Sequence, residues 1–267
     1  MHSRRAVITG ASSGIGAATV RRLRDAGWSV LAVARREDRL AALAEETGCS
    51  VRVVDVTHDD DVVALRAALA DDIAATGQPL DALVLNAGLA IGVDPVEEAD
   101  PADWARMFEV NVLGAQRVAA ALLPLLREGA RARGFADVIA VTSTAGQRAY
   151  EGGGGYAASK SGLRMLMDTL RLELAGEPIR VMQVAPGMVR TDEFTLHRLG
   201  GDAERAAALY KGVEHPLTAD DVALVIAQSL ALPGHINLDE ITMRPVAQAA
   251  QHKLIRGPLW PREAPGE

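Results

Sequence analysis

The chain has 267 residues, 49% hydrophobic and 24% charged, which is too apolar for a disordered protein and long enough to bury a sizeable core. A net charge of -7 excludes the clustered basic surface that nucleic-acid binding needs. The single cysteine, Cys49, cannot form an internal disulfide, and the longest purely apolar run, Val118–Leu126 with Pro124 inside it, is far short of a membrane span. Arg4 and Arg5 lead into a short strand and then glycines, not into the long apolar stretch of an export signal. These features point to a cytoplasmic protein with neither nucleic-acid nor membrane partners.

Ala6–Thr9 reads as a first buried strand, and Thr9-Gly-Ala-Ser-Ser-Gly-Ile-Gly16 follows it, opening a helix over Ala17–Ala26. The glycines at 10, 14 and 16 are spaced GxxxGxG rather than the commoner GxGxxG. The physics is the same: missing side chains let the backbone approach a pyrophosphate, which sits against the N–H groups and positive end of the helix. At the end of the second strand, Val30–Val33, enzymes that prefer NAD usually carry a carboxylate for the adenosine ribose hydroxyls. Here Val33-Ala-Arg-Arg-Glu37 places neutral Ala34 and then Arg35 and Arg36, whose guanidinium groups suit a 2′-phosphate and predict NADP. A helix over Arg36–Glu46 and a third strand, Val51–Val54, come next, and Asp55 at its end is placed to hold the adenine amino group. After a helix over Asp59–Thr76, the strand Leu83–Leu85 ends in Asn86-Ala-Gly88, whose small residues leave room for the adenosine ribose.

A long helix over Asp103–Arg127 contains Asn111, a polar amide with little reason to be buried unless it has partners. Ser143 follows the strand Val138–Val141, at the end of the sheet where open α/β folds bind ligands, and its hydroxyl can hold a substrate oxygen. Gly152–Gly155 makes the approach to Tyr156 pliable. In Tyr156-Ala-Ala-Ser-Lys160 the i, i+4 spacing puts phenol and ammonium on one helix face. A free phenol has a pKa of about 10; a cation roughly 5 Å away contributes about 3 kcal/mol at an effective dielectric near 20, on the order of two pKa units, which brings Tyr156 toward general acid–base work. The helical period continues over Gly162–Leu174. Pro186-Gly187 follows the strand Val181–Val184, and Thr191 beyond it can contact a nicotinamide amide. Residues 190–215 break the rhythm and read as a lid of short helices. A helix over Thr218–Leu232 and a last strand, Glu240–Met243, complete the alternation. The tail, residues 245–267, holds Pro245, Pro258, Pro261 and Pro265 and is expected to lie extended on the surface or across a neighbouring subunit, its last half-dozen residues mobile. The whole pattern predicts one domain over residues 1–267: a doubly wound, mostly parallel, seven-stranded Rossmann-type sheet with helices on both faces.

The glycine motif, Asn86-Ala-Gly88, Asn111, Ser143, Tyr156-x-x-x-Lys160 and Pro186-Gly187 together resemble the short-chain dehydrogenase/reductase family, in order and spacing, over roughly residues 4–245. One departure is Leu85, where many members have a further Asn. The resemblance implies hydride transfer between NADP(H) and a carbinol or carbonyl carbon. By position Tyr156 would be the general acid–base, Ser143 would orient the substrate oxygen, Lys160 would hold the nicotinamide ribose and lower the phenol pKa, and Asn111 would anchor a proton-relaying water. The cofactor contacts implied are Gly10, Ser12, Ser13, Gly14, Ile15 and Gly16, then Arg35, Arg36, Asp55 and Val56, then Asn86, Ala87 and Gly88. Tyr156, Lys160, Pro186, Gly187, Val189 and Thr191 complete the set. No metal is implied. Members are commonly homotetramers or homodimers, built through the helices here at Asp103–Arg127 and Tyr156–Leu174.

Asn86-Ala-Gly-Leu-Ala-Ile-Gly92, Ser143-Thr-Ala-Gly146 and the segment His235–Pro245 look like the NADP-dependent 3-hydroxy acid (serine) dehydrogenase branch, which oxidises small β-hydroxy acids. Arg148 and Arg190 are then candidates to bind a substrate carboxylate beside Ser143. Two alternatives stay open: a reductase of bulkier ketones in secondary metabolism, and a non-catalytic NADP-binding sensor.

Overall fold

The computed structural model describes residues 3–191 and 193–261. Seven strands form one sheet: β1 (Arg5–Thr9), β2 (Ser29–Ala34), β3 (Ser50–Val53), β4 (Ala82–Leu85), β5 (Ala136–Val141), β6 (Ile179–Pro186) and β7 (Ile241–Met243). Their spatial order is β3–β2–β1–β4–β5–β6–β7, and every pairing is parallel. The order reverses between β1 and β4, so the crevice at the carboxyl ends of those two strands is where such a sheet takes a ligand.

Side chains alternate faces along a strand, and the two faces of this sheet build two cores. Val7, Leu83, Val138 and Val181 meet helices α3 (Asp59–Thr76), α5 (Gly114–Arg133) and α6 (Gly154–Glu173). Their neighbours Ala6, Ile8, Val84, Ile139 and Met182 meet α1 (Gly14–Asp25), α2 (Glu37–Thr47) and α9 (Ala219–Ala231). Both layers are apolar, as a parallel sheet covered on two sides requires. The doubly wound sheet expected from the strand–helix alternation is the one observed.

Three departures matter for the site. The long helix expected over Asp103–Arg127 is three pieces: α4 (Pro101–Phe108), a π-helical turn (Glu109–Leu113) and α5. The π turn carries Asn111, which is fully buried. Helix α6 begins at Gly154, two residues before Tyr156, so the end of the glycine run enters the helix. Among the described residues one helical stretch, Pro101–Arg133, is long and apolar enough to cross a membrane by length and composition, where the sequence alone put every apolar run far short. Its apolar positions are taken by the core, with Val118, Leu122 and Leu126 buried against the sheet.

The excursion after β6 holds two short helices, α7 (Phe194–Arg198) and α8 (Ala203–Tyr210). The Tyr210 hydroxyl ties them down, donating to the Val189 carbonyl at 3.0 Å and meeting Thr195 Oγ1 at 2.6 Å. Within the described residues the tail, expected to lie extended, turns back on itself at a short hairpin. Gln248–Ala250 pairs antiparallel with Lys253–Leu254, and Gln248 Oε1 and Gln251 Oε1 accept from the Met188 N–H and the Thr144 hydroxyl. The mobility expected of the last half-dozen residues falls on 262–267, which lie outside the described residues.

Candidate active site

The glycine turn is held by close backbone contacts. Gly10 has φ +65, and a Cβ there would lie 2.8 Å from the Ala87 Cα; at Gly16 it would lie 2.3 Å from the Gly10 carbonyl oxygen. Asn86 fastens the same turn to the end of β4, its Nδ2 donating to the Thr9 and Gly10 carbonyls at 2.9 and 3.1 Å. The Thr9 hydroxyl accepts from the N–H groups of Asn86 and Ala87, both at 3.0 Å. Helix α1 starts at this turn with no capping bond from the Ser13 side chain and no acidic residue in its first turn. Its N–H groups and dipole are therefore open to an anion. The Thr191 hydroxyl is buried without a hydrogen-bond partner among the described residues, and Thr191 Cγ2 would lie 3.7 Å from a Cβ on Gly14. An unpaired buried hydroxyl facing a glycine turn fits the amide and phosphate groups of a dinucleotide.

The other residues expected to contact the nucleotide have distinct local surroundings. Ile15 and Val189 pack half-buried against the α1–α9 core. Val56 is buried under Gly114, where a Cβ would come within 2.7 Å of it. Gly187 donates to the Met243 carbonyl at 2.7 Å, and the Pro186 carbonyl lies 3.5 Å from the Ser143 hydroxyl. Burial raises the pKa of Asp55, but bonds from the Thr57 N–H and hydroxyl and the charge of Arg35 outweigh it and hold the carboxyl below its usual range.

The two arginines differ. Arg35 is largely exposed, its Nη1 3.6 Å from Asp55 Oδ2. Arg36 is tied up: Nε and Nη2 donate to Ser12 Oγ at 3.2 and 3.1 Å, Nη2 to Ser13 Oγ at 2.8 Å, and Nη1 to Glu193 Oε2 at 2.8 Å.

At the catalytic end, Tyr156 and Lys160 lie one turn apart on α6, both buried. Lys160 Nζ donates to the Val141 carbonyl at 2.8 Å and stands 6.0 Å from the Tyr156 ring centroid. A Cβ on Gly88 would lie 3.1 Å from Asn111 Oδ1 and 3.4 Å from Lys160 Nζ, so the carboxamide and the ammonium converge beside Gly88. Asn111 Nδ2 donates to the Leu89 carbonyl and to Ser159 Oγ, both at 2.9 Å, while Oδ1 accepts from the Leu89 N–H at 2.8 Å. The buried amide thus has protein partners and pins the loop after β4 to α6. Ser143 caps the turn Thr144–Gly146, its hydroxyl accepting from the Ala145 N–H at 3.1 Å.

The electrostatic balance at Tyr156 differs from the sequence argument. Burial pushes its phenol up to about 12, with Ser143 and Arg198 pulling the other way, and burial brings Lys160 down to about 8. Desolvation favours the neutral form of both groups, and in this enclosed site it outweighs the attraction expected across one helical turn.

Arg148 and Arg190, the expected carboxylate binders, are exposed. The guanidinium beside the phenol is Arg198, at the end of α7: its Cζ lies 5.5 Å from the Tyr156 ring centroid and 5.6 Å from that of Tyr150. Its Nε and Nη2 donate to the carbonyls of Gly92 and Gly152 at 3.2 and 3.1 Å. Phe194, one turn earlier, meets Tyr156 edge-on with centroids 5.6 Å apart. Trp104 and Tyr156 line a recess with Gly92, Gly152 and Arg198. No local pattern in the sequence marks Phe194 and Arg198, which reach the site only because α7 folds back over it.

A family profile described as short chain dehydrogenase matches residues 4–198. The chain belongs to the short-chain dehydrogenase family. Sulfoacetaldehyde reductase 2 of Chromohalobacter salexigens is 41% identical, aligned over 91% of this chain and 94% of the relative. Serine 3-dehydrogenase of Agrobacterium fabrum is 40% identical over 91% and 94%. A solved structure described as the closed form of serine dehydrogenase complexed with NADP+ superposes with a TM-score of 0.85 at 32% identity, covering 97% of this chain and all of that one. This short-chain dehydrogenase is an oxidoreductase of CH–OH groups, of the serine dehydrogenase branch, as the motifs led one to expect.

Proposed function

We propose that the enzyme uses NADP(H) to interconvert small hydroxy acids and their carbonyl partners, with 3-hydroxy acids such as serine as the leading class. The observation that carries the reading is Arg198: a guanidinium over the ring of Tyr156 gives a short substrate anion a partner within reach of the catalytic phenol. Serine and sulfoacetaldehyde, which appear in the names of the two relatives, both place the reacting carbon two bonds from the carbon or sulfur of the acid group. When bound, the nicotinamide supplies a carbon that takes the hydride. Tyr156 accepts the hydroxyl proton as the C–H electron pair leaves, and returns it in reduction. Ser143 holds the substrate oxygen, and Lys160, steadied by the Val141 carbonyl, takes the ribose and supplies the cation behind the phenol. Glycines 10, 14 and 16 would admit the pyrophosphate, Asp55 the adenine and Thr191 the carboxamide. The complete Ser143, Tyr156 and Lys160 set supports an enzyme over a sensor.

Turnover with NADP+ on L-serine and 3-hydroxyisobutyrate, against a panel of aromatic and cyclic ketones with NADPH, tests the substrate class. Activity on the acids is the expected result, and activity confined to the ketones would remove it.

A further inference from the structure

Helix α7 bridges the two ends of the crevice. At its start Glu193 sits on α2 and the glycine turn, receiving Arg36 Nη1 at 2.8 Å, with Arg39 Nη2 3.7 Å from its other oxygen. At its end Arg198 bonds the carbonyls of Gly92 and Gly152, and the Gly92 N–H returns a bond to the Arg198 carbonyl at 3.0 Å. Between these anchors Phe194 rests on Tyr156. Burial pushes the Glu193 carboxyl up, but Arg36 and Ser13 more than offset it, holding it below the usual range. Arg36 directs Nε to Ser12, Nη2 to Ser12 and Ser13, and Nη1 to Glu193, whereas the Arg35 side chain is 59% exposed.

We infer that Arg36 and Glu193 form a clasp that fastens α7 across the dinucleotide crevice and holds the bound cofactor in place, leaving Arg35 to read the 2′-phosphate. The inference rests on the nucleotide reading above and divides the labour of two adjacent arginines. A clasp holds any dinucleotide under the strap, so its loss weakens NADPH and NADH alike. A phosphate reader separates the two. Because the Arg36 side chain is 37% exposed and that of Glu193 24%, salt screens the pair and should hasten cofactor escape.

Equilibrium titration of nicotinamide fluorescence, with stopped-flow displacement for the dissociation rate, tests the assignment without turnover. Glu193→Gln, nearly isosteric, and Arg36→Ala should each raise the Kd of NADPH and of NADH by a similar factor of about five to twenty, mostly through faster release. The Arg36→Ala/Glu193→Gln double variant should be no worse than either single one. Arg35→Ala should instead weaken NADPH at least tenfold while leaving NADH within about twofold. Added salt should speed NADH release from the wild type and have little effect on NADH release from Glu193→Gln, whereas NADPH release keeps the salt dependence of its Arg35 contact in both. Tighter NADPH binding in Glu193→Gln would overturn the clasp and make the carboxylate a competitor of the phosphate. A loss of NADPH selectivity in Arg36→Ala as large as in Arg35→Ala would overturn it too. Wild-type binding with unchanged Glu193 variants removes the clasp and leaves the dehydrogenase reading standing, whereas absence of binding by the wild type removes both.

Discussion

At the scale of single residues, the proposed reaction has Tyr156 give and take a proton from a position that resists its charge. Burial pushes the phenol above its ordinary 10 to about 12, so below that value the protonated form dominates. Oxidation needs the phenolate, whose fraction rises about tenfold per pH unit below the pKa, while reduction needs the phenol, already abundant. The kcat/KM for alcohol oxidation should therefore climb between pH 6 and 9 while that for reduction stays nearly level. Tyr156→Phe should abolish both and leave NADPH binding almost unchanged. Level oxidation with chemistry limiting, or substantial turnover in the variant, would take the proton-transfer role away from Tyr156. The bound nicotinamide's positive charge would lower the phenol further, so the place where the climb ends reports the cofactor's share.

At the scale of elements, the site depends on how closely α6 approaches the turn after β5. Gly146 fixes that approach: a Cβ there would lie 2.7 Å from both the carbonyl carbon and the oxygen of Lys160, which are backbone atoms with nowhere to go. Gly146→Ala should push the Ser143 turn away from the Tyr156 helix, cutting kcat at least tenfold and costing about 1–3 kcal/mol in urea unfolding, with the KM for NADPH little changed. An unaffected kcat would mean that the spacing of the two elements tolerates a methyl group. The sequence made much of this architecture legible. The helix Asp59–Thr76 was expected and found with the same limits, because three aspartates open it and Gly77 ends it in the left-handed region. What stayed hidden was tertiary in origin. Gly154 and Gly155 read locally as loop, yet they open α6, because a Cβ on either would come within 3 Å of Trp104. Arg148 was nearer to Ser143 in sequence, but α7 folds back to bring Arg198 to the phenol, a placement no local pattern encodes.

At the scale of the molecule, apolar surface is left over beside the catalytic elements. Met165 and Leu172 lie two turns apart on one face of α6, 60% and 78% exposed. Phe108 of α4 reaches the same helix one turn earlier, its ring 3.5 Å from where a Cβ on Gly162 would sit, and is itself partly exposed. Covering such side chains contributes about 1.5–3 kcal/mol each, and a two-fold axis doubles every contact. The resemblance to short-chain dehydrogenases implies subunit assembly through these helices, and a second copy packed on this face would cover the row. The wild type is therefore expected to sediment as a dimer or tetramer at micromolar concentration. Met165→Glu with Leu172→Glu should shift it toward the monomer, since each introduced carboxylate would meet its own symmetry mate's apolar face. The same variant should keep the circular dichroism of the wild type, because neither side chain belongs to the core. A wild type that sediments as a monomer would leave the row without this explanation, and an oligomer indifferent to both substitutions would place its interface elsewhere on the chain.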